Sequence, residues 1–254
     1  MINLSVIIPG IRPENWVAIY HQLNDSISPF NFELICVGPN LPPNELTEYK
    51  NFKYIKDFGT PSRCLQIGSE FVEGEFLCWV PDDAIIEKSA LYESLEFMYK
   101  NSNENDGMCL LYSEGVDYTG DQHLTPEYWV GVTHRDQRHA QVNPSWKIAP
   151  VFLYRKKLFD ELGGLDCRFE HVNMNTHDLA YRVQHLGGTI HMSPRKILGV
   201  SWVENQKVIT EAYYENDSPL FAELYNKPEF PRVIIDKNNW KESPSIWERR
   251  FNKI

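Results

Sequence analysis

The sequence predicts an α/β fold whose sheet begins parallel, and three observations predict it. Short β-branched or aromatic apolar runs at residues 4–8 (LSVII), 32–37 (FELICV) and 76–80 (FLCWV) are each closed by glycine or proline. That is the pattern of strands buried on both faces. Between the first two, Trp16, Tyr20, Leu23 and Ile27 recur at i, i+4, i+7 and i+11, one apolar helical stripe. A strand, a helix and a strand at this spacing form a βαβ unit with parallel strands. Finally, the central run at residues 74–86 (GEFLCWVPDDAII) ends on Pro81-Asp82-Asp83. It sets adjacent carboxylates at a strand's carboxyl end, the edge where open α/β sheets bind ligands.

Composition bounds the rest. A chain of 254 residues, 42% hydrophobic and 13% aromatic, is globular and long enough for one large α/β domain or two small ones. The net charge of -10 argues against nucleic acid as a partner, because a phosphate backbone needs a basic footprint. Residues 227–254 depart from it, with seven basic and four acidic side chains, about +3, which leaves about -13 elsewhere. Cys36, Cys64, Cys78, Cys109 and Cys167 show no C-x-x-C spacing, so buried free thiols in a reducing compartment are expected. No apolar stretch approaches the ~20 residues of a membrane span, and no charged leader precedes the first apolar run. The expectation is a soluble, cytoplasmic protein.

The remaining elements follow in order. Residues 40–51 read as a loop with one helical turn, and 52–55 as a third strand. Thr60-Pro61 opens a helix, threonine as N-cap and proline in the first turn; Cys64, Ile67, Gly68 and Phe71 are its buried face. A helix over 89–99 buries Leu91, Leu95 and Met98, and residues 108–112 form one strand. The pattern then dissolves from 113 to 146, where Tyr118, Tyr128, Trp129, His134, His139 and Trp146 lie among polar residues. An aromatic loop of that length suits either packing or contact with a sugar ring. Residues 148–154 return to strand, and 156–162 form a helix stopped by Gly163-Gly164. Thr176 is the expected cap of a helix reaching Leu186, with Leu179, Val183 and Leu186 inward. Residues 189–192 form a strand, Asp217-Ser218-Pro219 starts a last helix to about 225, and the tail from 226 is expected to strap across the domain.

Three candidate sites carry two readings each. Asp82 and Asp83 suit a hard divalent cation, yet Pro-Asp-Asp is also ordinary turn chemistry. Arg63 opposes its helix dipole in the first turn, which fits an anionic ligand or a surface ion pair. Asp178 is either a dipole complement and i,i+4 partner of Arg182 or a base at the rim of the buried face. His177 lies further round, toward solvent. No phosphate-binding G-x-x-x-x-G-K, G-x-G-x-x-G or G-x-S-x-G is present.

Taken together, the chain resembles a family 2-type glycosyltransferase of the GT-A fold over roughly residues 4–190. SVIIP at residues 5–9 is similar to the family's first strand. PSRCLQIGSEFVEGEFLCWVPDDA resembles its Arg…Gly-Glu…Asp-x-Asp block, with Arg63 on the arginine and Gly74-Glu75 on the Gly-Glu. LGGLDCRFE at residues 162–170 resembles the acceptor-side Gly-Gly-Phe-Asp signature, and HDLAYRVQHLGG at residues 177–188 the Asp-Leu-x-x-Arg block. The resemblance implies a Rossmann-like, mixed but mostly parallel sheet flanked by helices. It divides the domain into a nucleotide-sugar half (about 1–112) and an acceptor half (about 113–225). It implies inverting transfer of a sugar from a nucleotide-sugar donor to a hydroxyl of a glycan, a lipid-linked molecule or a protein. Pro9, Arg12, Arg63 and Asp82 would bind the nucleotide, Asp83 would hold Mg or Mn, and Asp178, or else His177, would be the base. The sequence departs from the family where Pro81 replaces the first metal-motif acid and Asn175-Thr176 replaces a Glu-Asp. It departs again where Gly38-Pro39 stands for the acid that reads the nucleotide base. A catalytically silent GT-A domain and a nucleotidyltransferase are the alternatives.

Overall fold

The computed structural model describes residues 1–114, 145–201 and 211–243. The aromatic loop lies almost wholly outside the described residues, as do Trp247 and Phe251.

The opening unit forms as its periodicity dictates. β1 (Leu4–Pro9) leads through a 3₁₀ turn at Pro13–Asn15 into α1 (Trp16–Ile27), and then into β2 (Phe32–Gly38). Trp16, Leu23 and Ile27 are fully buried, while Tyr20 stacks on Tyr49 at 4.3 Å. A single turn, α2 (Asn44–Thr47), precedes β3 (Phe52–Lys56). α3 (Pro61–Ser69) starts at the expected cap, since the Thr60 hydroxyl accepts the Arg63 N–H at 3.0 Å. Phe71, expected on its buried face, lies beyond the helix end and is exposed. β4 (Phe76–Trp79) is buried along its whole length.

β1, β2, β3 and β4 are parallel, in the spatial order β3-β2-β1-β4. Beyond β4 the sheet continues with β8 (Phe152–Arg155), β6 (Gly107–Cys109) and β9 (Ile190–Met192). β8 runs antiparallel to both neighbours, and β6 and β9 are parallel. The seven-stranded sheet is therefore mixed but mostly parallel and is flanked by helices. Strand order reverses about β1, so the β1–β4 boundary is a topological switch point, where such sheets open a ligand crevice.

A second sheet is smaller: β5 (Ile85–Ile86), β10 (Leu198–Val200) and β7 (Tyr112–Glu114), with β10 in the middle. It corrects the single strand expected over 108–112. Met108 and Cys109 pair in the large sheet. Leu110 and Leu111 turn out of it, their N–H groups bonded to Val151 O and Ser193 Oγ, so that Tyr112 joins the small one. α4 (Ala90–Asn101) buries Leu91, Leu95 and Met98 as expected.

α5 (Lys156–Glu161) ends on Gly163 and Gly164, both left-handed with φ of 80° and 72°, a conformation that suits glycine. α6 (Val172–His185) begins a turn earlier than expected. His171, not Thr176, is its N-cap, and Leu186 is exposed beyond its end. α7 (Ser218–Tyr225) follows a π-turn at Tyr213–Asp217. Residues 226–243 return over α3 and α6: Ile235 N–H bonds Leu162 O, Gln66 bonds Lys237 O, and Phe230 stacks on His185.

Candidate functional site

The carboxyl ends of β1 and β4 meet through one carboxylate. Asp82 Oδ2 accepts the backbone N–H groups of Ile11 and Arg12 at 2.8 and 2.9 Å. Its Oδ1 accepts from the Arg12 guanidinium, through Nε at 3.0 Å and through Nη2. Its carbonyl accepts from Asn15 Nδ2 at 2.9 Å. Gly10 lets the two loops close, since a Cβ there would press on Trp16 and Asp82. Asp82 is thus the knot between strands, a role its turn-forming sequence does not reveal.

Asp83 faces different surroundings. Its carboxylate lies 3.5 Å from Arg12 Nη2 and 3.5 Å from the Ser201 hydroxyl. Burial raises its pKa above the usual carboxylate range; Arg12 opposes that and the Asp82 charge adds to it. Burial pulls the Arg12 pKa down, but Asp82 and Asp83 more than restore it, so Arg12 is a fixed cation. Among the described residues no three His, Cys, Asp or Glu side chains gather as a metal cluster. Mg²⁺ typically needs only one or two protein carboxylates beside phosphates and water, and takes them ionised, so Asp83, whose burial favours the protonated form, would have to give up its proton to such an ion.

Arg63 shows the ion-pair geometry. Its Nε and Nη2 grip Asp57 at 3.0 Å each, its Nη1 bonds Trp240 O, and its guanidinium lies 5.1 Å from the Trp240 ring. The sequence signal for this was faint: Gly59 folds the chain back, its N–H bonding Asp57 Oδ1 at 2.7 Å. Pro9, half-buried, ends β1 beside this edge.

Asp178 stands in the second turn of α6, not the first, and is buried rather than at a rim. Its Oδ2 accepts from Arg182 Nε at 2.8 Å and its Oδ1 from the Tyr225 hydroxyl at 2.7 Å. Arg182 is fully buried and donates onward to the carbonyls of Leu162 and Gly164 at 2.9 and 2.6 Å. The i,i+4 pairing was legible; Tyr225, 47 residues away, was not. His177, expected toward solvent, is buried. The earlier helix start explains both shifts. Asp217 reaches back to accept the Glu170 and His171 N–H groups at 2.8 and 2.7 Å, and His171 Nδ1 accepts from Asn173 N–H at 3.0 Å. Burial lowers the His171 pKa to about 4, so the ring is neutral and its remaining proton sits on Nε2. Asn175, in the place of the family's acid, holds the Asp166 N–H through Oδ1 at 2.9 Å. The five cysteines are free and buried.

With its mixed, mostly parallel seven-stranded sheet flanked by helices, the chain has the GT-A fold. Its structural relatives include TarS of S. aureus. The TarS 1–349 complex with UDP matches at 19% identity with a TM-score of 0.54, over 85% of this chain and 67% of that one. The complex with UDP-GlcNAc matches at 19% and 0.51, over 80% and 59%. The longer TarS structure matches at 18% and 0.55, covering 99% of this chain but 43% of its own. Structural likeness at identities this low shows the fold alone. No family model and no curated protein matches the sequence. Among the described residues no helix is long and apolar enough to cross a membrane.

Proposed function

We propose that this chain is a glycosyltransferase that moves a sugar from a nucleoside-diphosphate sugar to an acceptor hydroxyl, with inversion. The observation that supports it most is the β1–β4 edge of the GT-A fold, where Asp82 locks Arg12 beside the half-buried Asp83. UDP and UDP-GlcNAc complexes of TarS, on the same fold, support a nucleotide-sugar donor. In the reaction the acceptor oxygen bonds the anomeric carbon as that carbon's bond to the diphosphate breaks. The electron pair leaves with the diphosphate, and the hydroxyl proton passes to a base. Arg12, a fixed cation at the edge, would offset the charge growing on the leaving group. Asp83 would hold Mg or Mn, which stabilises the same charge when bound. Asp178 already accepts from Arg182 and Tyr225, so the proposal gives it a structural part and assigns the base to His177, the other candidate on this stretch of α6, whose ring nitrogens are buried and would have to be uncovered for the acceptor to reach them.

One observation favours a silent, sugar-binding GT-A domain: Asp82 and Asp178 are both spent on internal hydrogen bonds. Assaying transfer and donor hydrolysis over a nucleotide-sugar panel separates the two. The expected result is metal-stimulated turnover. His177→Ala should lower it about 10²–10⁴-fold with donor affinity kept, and Asp83→Asn should lose the metal stimulation. Donor binding without turnover, for every sugar tried, would establish the silent domain instead.

A further inference from the structure

We propose that the acceptor carries an anionic group, a phosphate or a carboxylate, and that Arg168 and Arg232 bind it. The proposal rests on the transferase reading above and names the chemical class of its acceptor.

The loop between α5 and α6 places the two arginines at the ligand edge of the sheet. β8 runs antiparallel to β4 and β6, and β9 runs parallel to β6, so β9 points the same way as β4. α6 leads into the start of β9. Its own first turn and the loop before it therefore lie toward the carboxyl ends of β1 and β4, the edge that carries Asp83. Contacts with the start of α3 hold the loop there: the Ser62 hydroxyl donates to His171 O at 3.3 Å, and the Cys167 thiol lies 3.8 Å from Ser62 O.

Asp166 is the centre of the cluster. Its side chain is 1% exposed. Its carboxylate accepts from Arg168 Nε and Nη2 at 3.1 and 2.8 Å, from the Arg168 N–H at 3.1 Å, and from Arg232 Nη2. Burial alone would raise its pKa, but the two arginines bring it below the ordinary carboxylate range, so the group is charged. One arginine is enough to pair one carboxylate, and the second leaves a surplus positive charge. The other acids that act on Arg168 do not take it up. Asp178 is paired with the buried Arg182, and Glu223 lies 3.8 Å from Lys227.

Both guanidinium groups are fixed on one side and open on the other. Their side chains are 48% and 41% exposed, although the carboxylate between them is buried. Among the described residues, Arg168 Nη1 and the Nε and Nη1 of Arg232 donate to no protein acceptor. Guanidinium edges held in place with N–H donors to spare match the oxygens of a phosphate or carboxylate, which they bind through paired, charge-assisted hydrogen bonds.

The test compares glucose 6-phosphate, glucuronate and glucose for binding to the full chain by ligand-observed NMR. The donor site is first filled with Mg²⁺ and the tightest binder among UDP, CDP, ADP and GDP. At least one charged sugar should bind about tenfold or more tighter than glucose, the scale of a charge-assisted hydrogen bond, and the tighter of the two names the group. Arg232→Gln should remove most of that advantage. Asp166 keeps Arg168 in this variant, and an unchanged nucleotide affinity checks that the fold is kept. Arg232→Lys, which keeps the charge without the planar fork, should lose less. Equal binding of the three sugars, or an advantage that survives Arg232→Gln, overturns the proposal and leaves the proposed function standing. Failure of all four nucleotides to bind overturns the proposed function and, with it, the acceptor role of these arginines.

Discussion

Asp82 and Asp83 are chemically identical neighbours that their surroundings set apart. Asp82 is the acceptor for two backbone N–H groups and the Arg12 side chain. Asp82→Ala would strand those donors and is expected to cost about 3 kcal/mol, read as a lower urea midpoint. Asp83 has its pKa raised by burial, so its charged form is disfavoured in the fold relative to the unfolded chain. Asp83→Asn should therefore leave stability at neutral pH unchanged or higher. His171 gives a clear pH signature. Its folded pKa, about 4, lies below the ordinary 6.5, so between these values the unfolded chain binds a proton that the fold refuses. Stability is full above about pH 6.5 and falls as pH drops toward 4. The half-buried ring limits the loss to about 2 kcal/mol. His171→Asn, which can still cap the helix, should flatten that part of a plot of urea midpoint against pH.

Among the elements, α6 carries most of what the acceptor half depends on. Its Asp178–Arg182 pair is the commonplace i,i+4 partnership, but burial changes its weight. Arg182 has no exposure and ties α6 to the carbonyls that close α5. Removing its counter-charge leaves a buried cation uncompensated, at roughly 3–5 kcal/mol. Asp178→Asn is thus expected to lower the denaturant midpoint strongly. Turnover per folded molecule, measured with the folded fraction determined alongside, should stay close to that of the unaltered chain. A loss of 10²-fold or more in fully folded Asp178→Asn would return the base to Asp178.

At the scale of the molecule, residues 226–243 join elements that are distant in sequence. Asn239 accepts the Cys167 N–H at 2.7 Å and donates to Leu165 O at 3.0 Å. Gln66 of α3 accepts the Leu165 N–H at 2.7 Å and donates to Lys237 O at 3.0 Å. The loop after α5 is held from the tail on one side and from α3 on the other. Asn239→Ala should cost about 2 kcal/mol, the price of a buried N–H left unpaired. It should also speed amide hydrogen exchange at Leu165 and Cys167 ahead of the β1–β4 core.

The parallel start of the sheet, the buried faces of α1 and α4 and the Thr60 cap were legible because each depends on residues within a few turns of one another. Periodicity and capping are local properties, and burial reinforces them. The strand at 108–112 was misread because a five-residue apolar run does not say which sheet each half joins; Val151 O and Ser193 Oγ decide that. The start of α6 was set a turn too late because its cap is completed by Asp217, more than 45 residues downstream. The same limit governs the site. Sequence placed Asp82 and Asp83 at a strand end and paired Asp178 with Arg182. Only tertiary structure turned Asp82 toward the β1 loop, Arg63 toward Asp57 and Trp240, and Asp178 toward Tyr225. A carboxylate's role is set by the donors around it and by its burial, and the fold brings those together from residues the chain keeps far apart.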